Sequence, residues 1–167
     1  MISGRGAPTP MVKLGKLADY GLVVMTCIAK EPAALRTARD LSTESKLPLP
    51  TVSKILKQLL TSGLLVSHRG TKGGYVLSRG PREIPVIDVI AAFEGPVALT
   101  ECSTEVTGLC NIESSCPVKT NQRIINHAVR QVLGTISLYD LISPLQLTAI
   151  KDARGNPVSL VPSGRIQ

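Results

Sequence analysis

Cys102, Cys110 and Cys116 form the pattern Cys-x7-Cys-x5-Cys. Thiolate sulfur is the preferred ligand of soft metal ions and of iron–sulfur clusters, so three such side chains close together point first to metal chemistry. The spacing differs from the paired Cys-x2-Cys knuckles of zinc ribbons. Wide, uneven gaps suit a cluster, whose metal atoms spread over more volume than one ion, and Gly108 lets the chain turn around such an object. A two-iron cluster takes four ligands, which leaves one to be found beyond the three cysteines. A zinc ion held by three thiolates and a further donor, or a metal-free thiol switch, are the other chemistries the pattern fits. Cys27 lies in an apolar stretch and reads as a small buried hydrophobe rather than a ligand.

A second group of residues is basic. The chain carries a formal net charge of +7, and Arg36, Arg39, Lys46, Lys54, Lys57, Arg69, Lys72, Arg79 and Arg82 crowd one stretch. Only Asp40 and Glu44 oppose them there. Such a segment is the electrostatic footprint expected for a polyanion, nucleic acid first. With three tyrosines, one phenylalanine and no tryptophan, stacking on single-stranded bases has little to work with, and double-stranded DNA is the expected partner. Catalysis is not expected. Neither His68 nor His127 falls near Cys or Ser in a recognisable dyad, and no phosphate-cradling glycine loop precedes a helix.

The elements that must position these residues follow from periodicity. Leu14, Leu17, Ala18, Leu22, Met25, Ile28 and Ala29 recur at helical spacing and predict a first helix over 14–29, ended by Pro32. A second helix is expected over 35–46, with Leu35, Ala38 and Leu41 inward. Pro48 and Pro50 break it, and Pro50 suits the first turn of a third helix over 51–62. In that helix Val52, Ile55, Leu56, Leu59 and Leu60 form the core stripe, and Gly63 is the natural C-cap. Strands over 64–68 and 75–78 flank a Gly-rich turn, where glycines are expected to supply the positive φ of a tight hairpin. A fourth helix spans 86–94, a poorly periodic cysteine loop 97–117, and a long helix about 119–142. In the last, Ile125, Val129, Val132, Ile136 and Tyr139 make a coiled-coil-like seam that asks for a second copy.

The fold class expected is mostly α with a small β-wing: a winged helix-turn-helix plus a long dimerisation helix. Its organisation is a disordered extension (1–10), a DNA-binding domain (11–82), a cluster loop with the dimerisation helix (83–142) and a flexible tail (143–167). No run of eighteen apolar residues is present, and the first ten residues lack the apolar core of a secretory signal. A cytoplasmic protein with reduced thiols, meeting the nucleoid through DNA, is the expectation. Recognition helices reach base edges from their N-terminal turns, which nominates Thr51, Ser53, Lys54 and Lys57. Arg69 and Lys72, at the hairpin tip, are placed for an adjacent minor groove.

These residues carry a resemblance. Leu17-Ala18-Asp19-Tyr20, Pro50-Thr51-Val52-Ser53-Lys54 and Arg69-Gly70-x-Lys72-Gly73-Gly74-Tyr75 resemble the Rrf2 family of dimeric winged-helix transcription regulators, which includes the IscR and NsrR iron–sulfur sensors. Glu94-Gly95-Pro96, Leu99-Thr100-Glu101-Cys102 and Arg123-Ile124-Ile125-Asn126 resemble more narrowly the branch that regulates SUF iron–sulfur assembly. The resemblance implies a homodimer on a palindromic operator. It implies a [2Fe–2S] cluster held by Cys102, Cys110 and Cys116 near the N-terminal end of the long helix. The fourth ligand of the IscR type is a histidine three residues past the last cysteine, where this chain has Lys119. In the NsrR type it is an aspartate from the partner's first helix, and Asp19 matches that position; His127 is the lesser substitute. A repressor of iron–sulfur assembly genes is the function implied, with a nitric-oxide or redox sensor of the NsrR type and a zinc-stabilised constitutive DNA-binding protein as alternatives.

Overall fold

A computed structural model describes residues 13–70, 73–100, 103, 110–112 and 114–142, together with the backbone of 150–151 and 157–158. The elements run α1 (Lys16–Lys30), α2 (Ala38–Ser45), α3 (Leu49–Thr61), β1 (Leu65–His68), β2 (Gly74–Leu77), α4 (Val86–Glu94), α5 (Lys119–Thr135), β3 (Ile150–Lys151) and β4 (Pro157–Val158). The class is the one expected: helices with a two-stranded antiparallel wing. No described helix is long and apolar enough to cross a membrane.

The core forms where three helical stripes meet. Val24, Met25 and Ile28 of α1, Leu41 of α2 and Val52, Ile55, Leu56 and Leu59 of α3 are fully buried. Each such side chain stabilises the fold by about 1.5–3 kcal/mol through apolar burial. Leu64 and Leu65 continue the core into the wing, and Ile84 and Val89 close it from the α4 side. Leu138, beyond the end of α5, is also fully buried. Its segment is stitched back by Val86 N donating to Ile136 O and Leu138 N to Ile84 O, both at 2.8 Å.

The second helix begins later than its apolar pattern suggests. Arg36 is occupied by the wing instead, its N–H donating to Tyr75 O at 3.1 Å and its carbonyl accepting from Tyr75 N at 2.8 Å. Thr37 then caps α2 in a capping box with Asp40. Leu35, expected inward, is consequently 43% exposed. Lys46 ends α2 in the left-handed region at φ 57°.

The wing pairs Leu65 with Leu77 and His68 with Gly74. Of the turn glycines, Gly70 supplies positive φ at 120°. Gly74 serves close packing: a Cβ there would meet Arg36 O at 2.9 Å. In the tail, β3 and β4 form a short antiparallel pair that the loosely ordered reading of 143–167 did not foresee.

Candidate nucleic-acid interface and cysteine site

α3 presents its non-core face as expected. Ser53, Lys54 and Lys57 are exposed and Thr51 is half-buried at the first turn. Pro50 occupies that turn, and no side chain caps the helix N-terminus. Arg69 is exposed beside the wing; Lys72 lies outside the described residues. The basic stretch divides in two. Arg36 is hydrogen-bonded to Glu44, Arg79 pairs with Asp88 at 2.7 Å, and Arg82 lies 3.6 Å over the Tyr139 ring. Arg39, Lys46, Lys54, Lys57 and Arg69 make no ion pair among the described residues. Those five cations, from α2, the turn after it, α3 and the wing, are exposed and, among the described residues, free of carboxylate partners.

Glu44 is the hub of the paired cations. Burial works against its charged form, but hydrogen bonds from Lys30 and Arg36 more than offset this and hold the carboxyl below its ordinary range. The same neighbourhood contains Cys27, only 6% exposed. Burial, then the Glu44 carboxylate, push its thiol pKa up. A thiol so disposed stays protonated and inert, in keeping with its reading as a core residue.

Of the cysteine triad, Cys110 and Cys116 are free thiols of intermediate exposure. They sit on the turns that lead into α5, with Lys119 N donating to Cys116 O at 3.4 Å. Cys102 lies outside the described residues. Among the described residues no three of His, Cys, Asp and Glu come close enough to hold a metal ion. Asp19 is exposed in the first turn of α1. That end of α1 is docked by Glu94, whose carboxylate accepts from Gly15 N. The structure thus brings the Asp19 end of α1 to the end of α4, which leads through Gly95 and Pro96 into the cysteine loop. His127 is exposed on α5.

Two contacts escaped the sequence reading. Gln58 of α3 donates to Ala92 O at 2.8 Å, tying the recognition helix to the end of α4. Asn126 of α5 is 4% exposed, accepts from Leu99 N at 3.0 Å and donates to Ser103 O at 3.4 Å. For Gln58 the sequence signal is a polar residue on a helix, which by itself reads as solvated surface; Asn126 ends the Arg123-Ile124-Ile125-Asn126 motif, which does not name its partners.

A three-helix core, a basic recognition helix and a stitched wing define a winged-helix DNA-binding protein. The family model Rrf2, described as "Iron-dependent Transcriptional regulator", matches residues 14–144, and the chain belongs to that family. Its members are transcriptional regulators rather than enzymes. CymR of Bacillus subtilis is 31% identical over 134 residues, covering 79% of this chain and 91% of that one. IscR of Xenorhabdus nematophila is 28% identical over 128 residues, 77% of each chain. The solved structure of CymR, the global cysteine regulator of B. subtilis, superposes with a TM-score of 0.64 at 27% identity, covering 81% of this chain and 99% of that one.

Proposed function

We propose that this regulator is a homodimeric repressor of iron–sulfur assembly genes whose hold on DNA is set by a [2Fe–2S] cluster. The observation that carries the reading is the placement of two free thiols, Cys110 and Cys116, at the entry to α5, in a chain whose IscR relative aligns over 77% of its length. The donor set fits: thiolates of Cys102, Cys110 and Cys116 supply soft ligands, and Asp19 of the partner subunit supplies an oxygen donor in place of the histidine that Lys119 replaces. When bound, the cluster supplies a redox-sensitive crosslink between the loop and the dimer. Everything downstream belongs to the chain. The loop root at Glu94 holds α1 through Gly15, and Ala92 holds α3 through Gln58, so a shift of that root bears on the recognition helix.

Dimerisation belongs to α5. Its one buried residue is Asn126, while Ile124 and Ile125 are 59% and 50% exposed. A helix of this kind needs a second apolar surface, and an identical copy supplies one. Two such subunits set their α3 helices at a fixed separation on a palindromic site, with Thr51, Ser53, Lys54 and Lys57 toward the major groove and Arg69 and Lys72 toward the minor.

The test is anaerobic purification with iron, sulfide and zinc analysis, alongside the Cys110→Ala variant. Equal iron and sulfide in the wild type, and loss of cluster-dependent DNA binding in the variant, are the expected results. Zinc in place of iron, or a variant that regulates as the wild type does, contradicts the proposal.

A further inference from the structure

The only residue that α5 buries among the described ones is polar. Asn126 sits in the face turned toward the segment after α4, and both ends of its amide are used. Leu99 N can only donate, so the atom 3.0 Å from it is fixed as the amide oxygen, and the nitrogen must point to Ser103 O at 3.4 Å. Ser103 in turn is closed onto Thr100, by its N–H to Thr100 O at 3.0 Å and by paired hydroxyls at 2.7 Å. Leu99 and Ser103 are therefore both held by one side chain, which projects from the helix following Cys116. No other amino acid of this size offers an acceptor and a donor side by side in this way. Leucine would strand the Leu99 N–H and the Ser103 carbonyl, and aspartate would serve only the first.

We propose that Asn126 is a positioning residue for the cysteine site. By fixing Leu99 and Ser103, which flank Cys102 in the sequence, to α5, it ties the start of the cysteine segment to the same helix that Cys110 and Cys116 precede. The inference rests on the reading of the three cysteines as cluster ligands. Residues that orient ligands from behind are worth roughly 10–100-fold in metal retention.

The experiment compares wild type, Asn126→Ala and Asn126→Asp, each reconstituted anaerobically with ferrous iron and sulfide. Iron and sulfide content, visible circular dichroism of the cluster and its rate of loss to a chelator are recorded. Hydrogen exchange of the Leu99 amide is followed in the metal-free proteins. Asn126→Ala should release its cluster roughly 10–100-fold faster, with an altered visible spectrum and a fast-exchanging Leu99 amide. Asn126→Asp, which keeps the acceptor, should protect that amide and fall between the two; if the alanine variant loses its helical fold, the aspartate variant carries the test, and wild-type release from it overturns the proposal. A folded alanine variant that loads, absorbs and releases as the wild type does overturns the role of Asn126 alone. Wild-type protein that takes up no cluster overturns the ligand reading and this inference with it.

Discussion

At Glu44 a single carboxylate receives the Lys30 ammonium at 3.0 Å and the Arg36 guanidinium, and through Arg36 it reaches the strand that anchors the wing. Its side chain is 27% exposed, so solvent weakens the pairing without abolishing it. Glu44→Gln should lower stability by about 1 kcal/mol near neutral pH, read from denaturant melts. The sign with pH follows from a folded-state pKa depressed below the ordinary 4.5. The contribution is complete above that value and is lost as pH falls through the lower folded one, so wild type and variant should converge in acid. A gap that widened on acidification would show that the carboxylate plays no such part. At this scale the sequence was legible where periodicity speaks, as in Val52, Ile55, Leu56 and Leu59. It names Asn126 within a motif but not the partners of that amide, which lie 27 and 23 residues away. It was also silent on which arginines are engaged: Arg36 and Arg79 read like Arg39 and Arg69 until their carboxylates are located.

Among the elements, the wing depends on one close approach. Gly74 packs against the Arg36 backbone, where a methyl group would lie 2.9 Å from the oxygen and 3.1 Å from the carbonyl carbon and the nitrogen. None of those atoms can swing away as a side chain would. Gly74→Ala should therefore cost about 1–3 kcal/mol and loosen the wing, weakening DNA binding while leaving the helical signal intact. Unchanged melting and DNA affinity would show that the strand can shift without consequence. The same contact makes the second helix start at Ala38 rather than at Leu35. Leu35 fits a helical apolar pattern, but its neighbour Arg36 is claimed by a bridge to a strand some forty residues on, and local periodicity does not register such a claim. The third and fourth helices were read closely, because proline at the start of one and glycine after the end of each are local signals.

For the whole molecule, the segment after α5 joins the DNA-binding core. Leu138 is buried in it, Pro85 pairs with Ser137, and Arg82 stacks on Tyr139. Tyr139, the last residue of the expected seam, contacts its own chain, which moves the proposed dimer contact to the earlier part of α5 around the exposed Ile124 and Ile125. Ile125→Glu should yield a folded monomer in sedimentation, since a charge in the middle of such a contact removes about 2 kcal/mol or more of association energy. A variant that remained dimeric would place the interface elsewhere. Because α5 begins after the cysteine turns and is tied to α4 and the core at its far end, the proposed dimer would join the cysteine loop and the two recognition helices in one connected frame. A single titration probes that connection. DNA selected from a random pool should be titrated by anisotropy with cluster-loaded and metal-stripped protein under the same salt. Affinities should differ at least tenfold between the two forms, with the difference absent in Cys110→Ala. Equal affinity of the loaded and stripped forms for every selected site would contradict it.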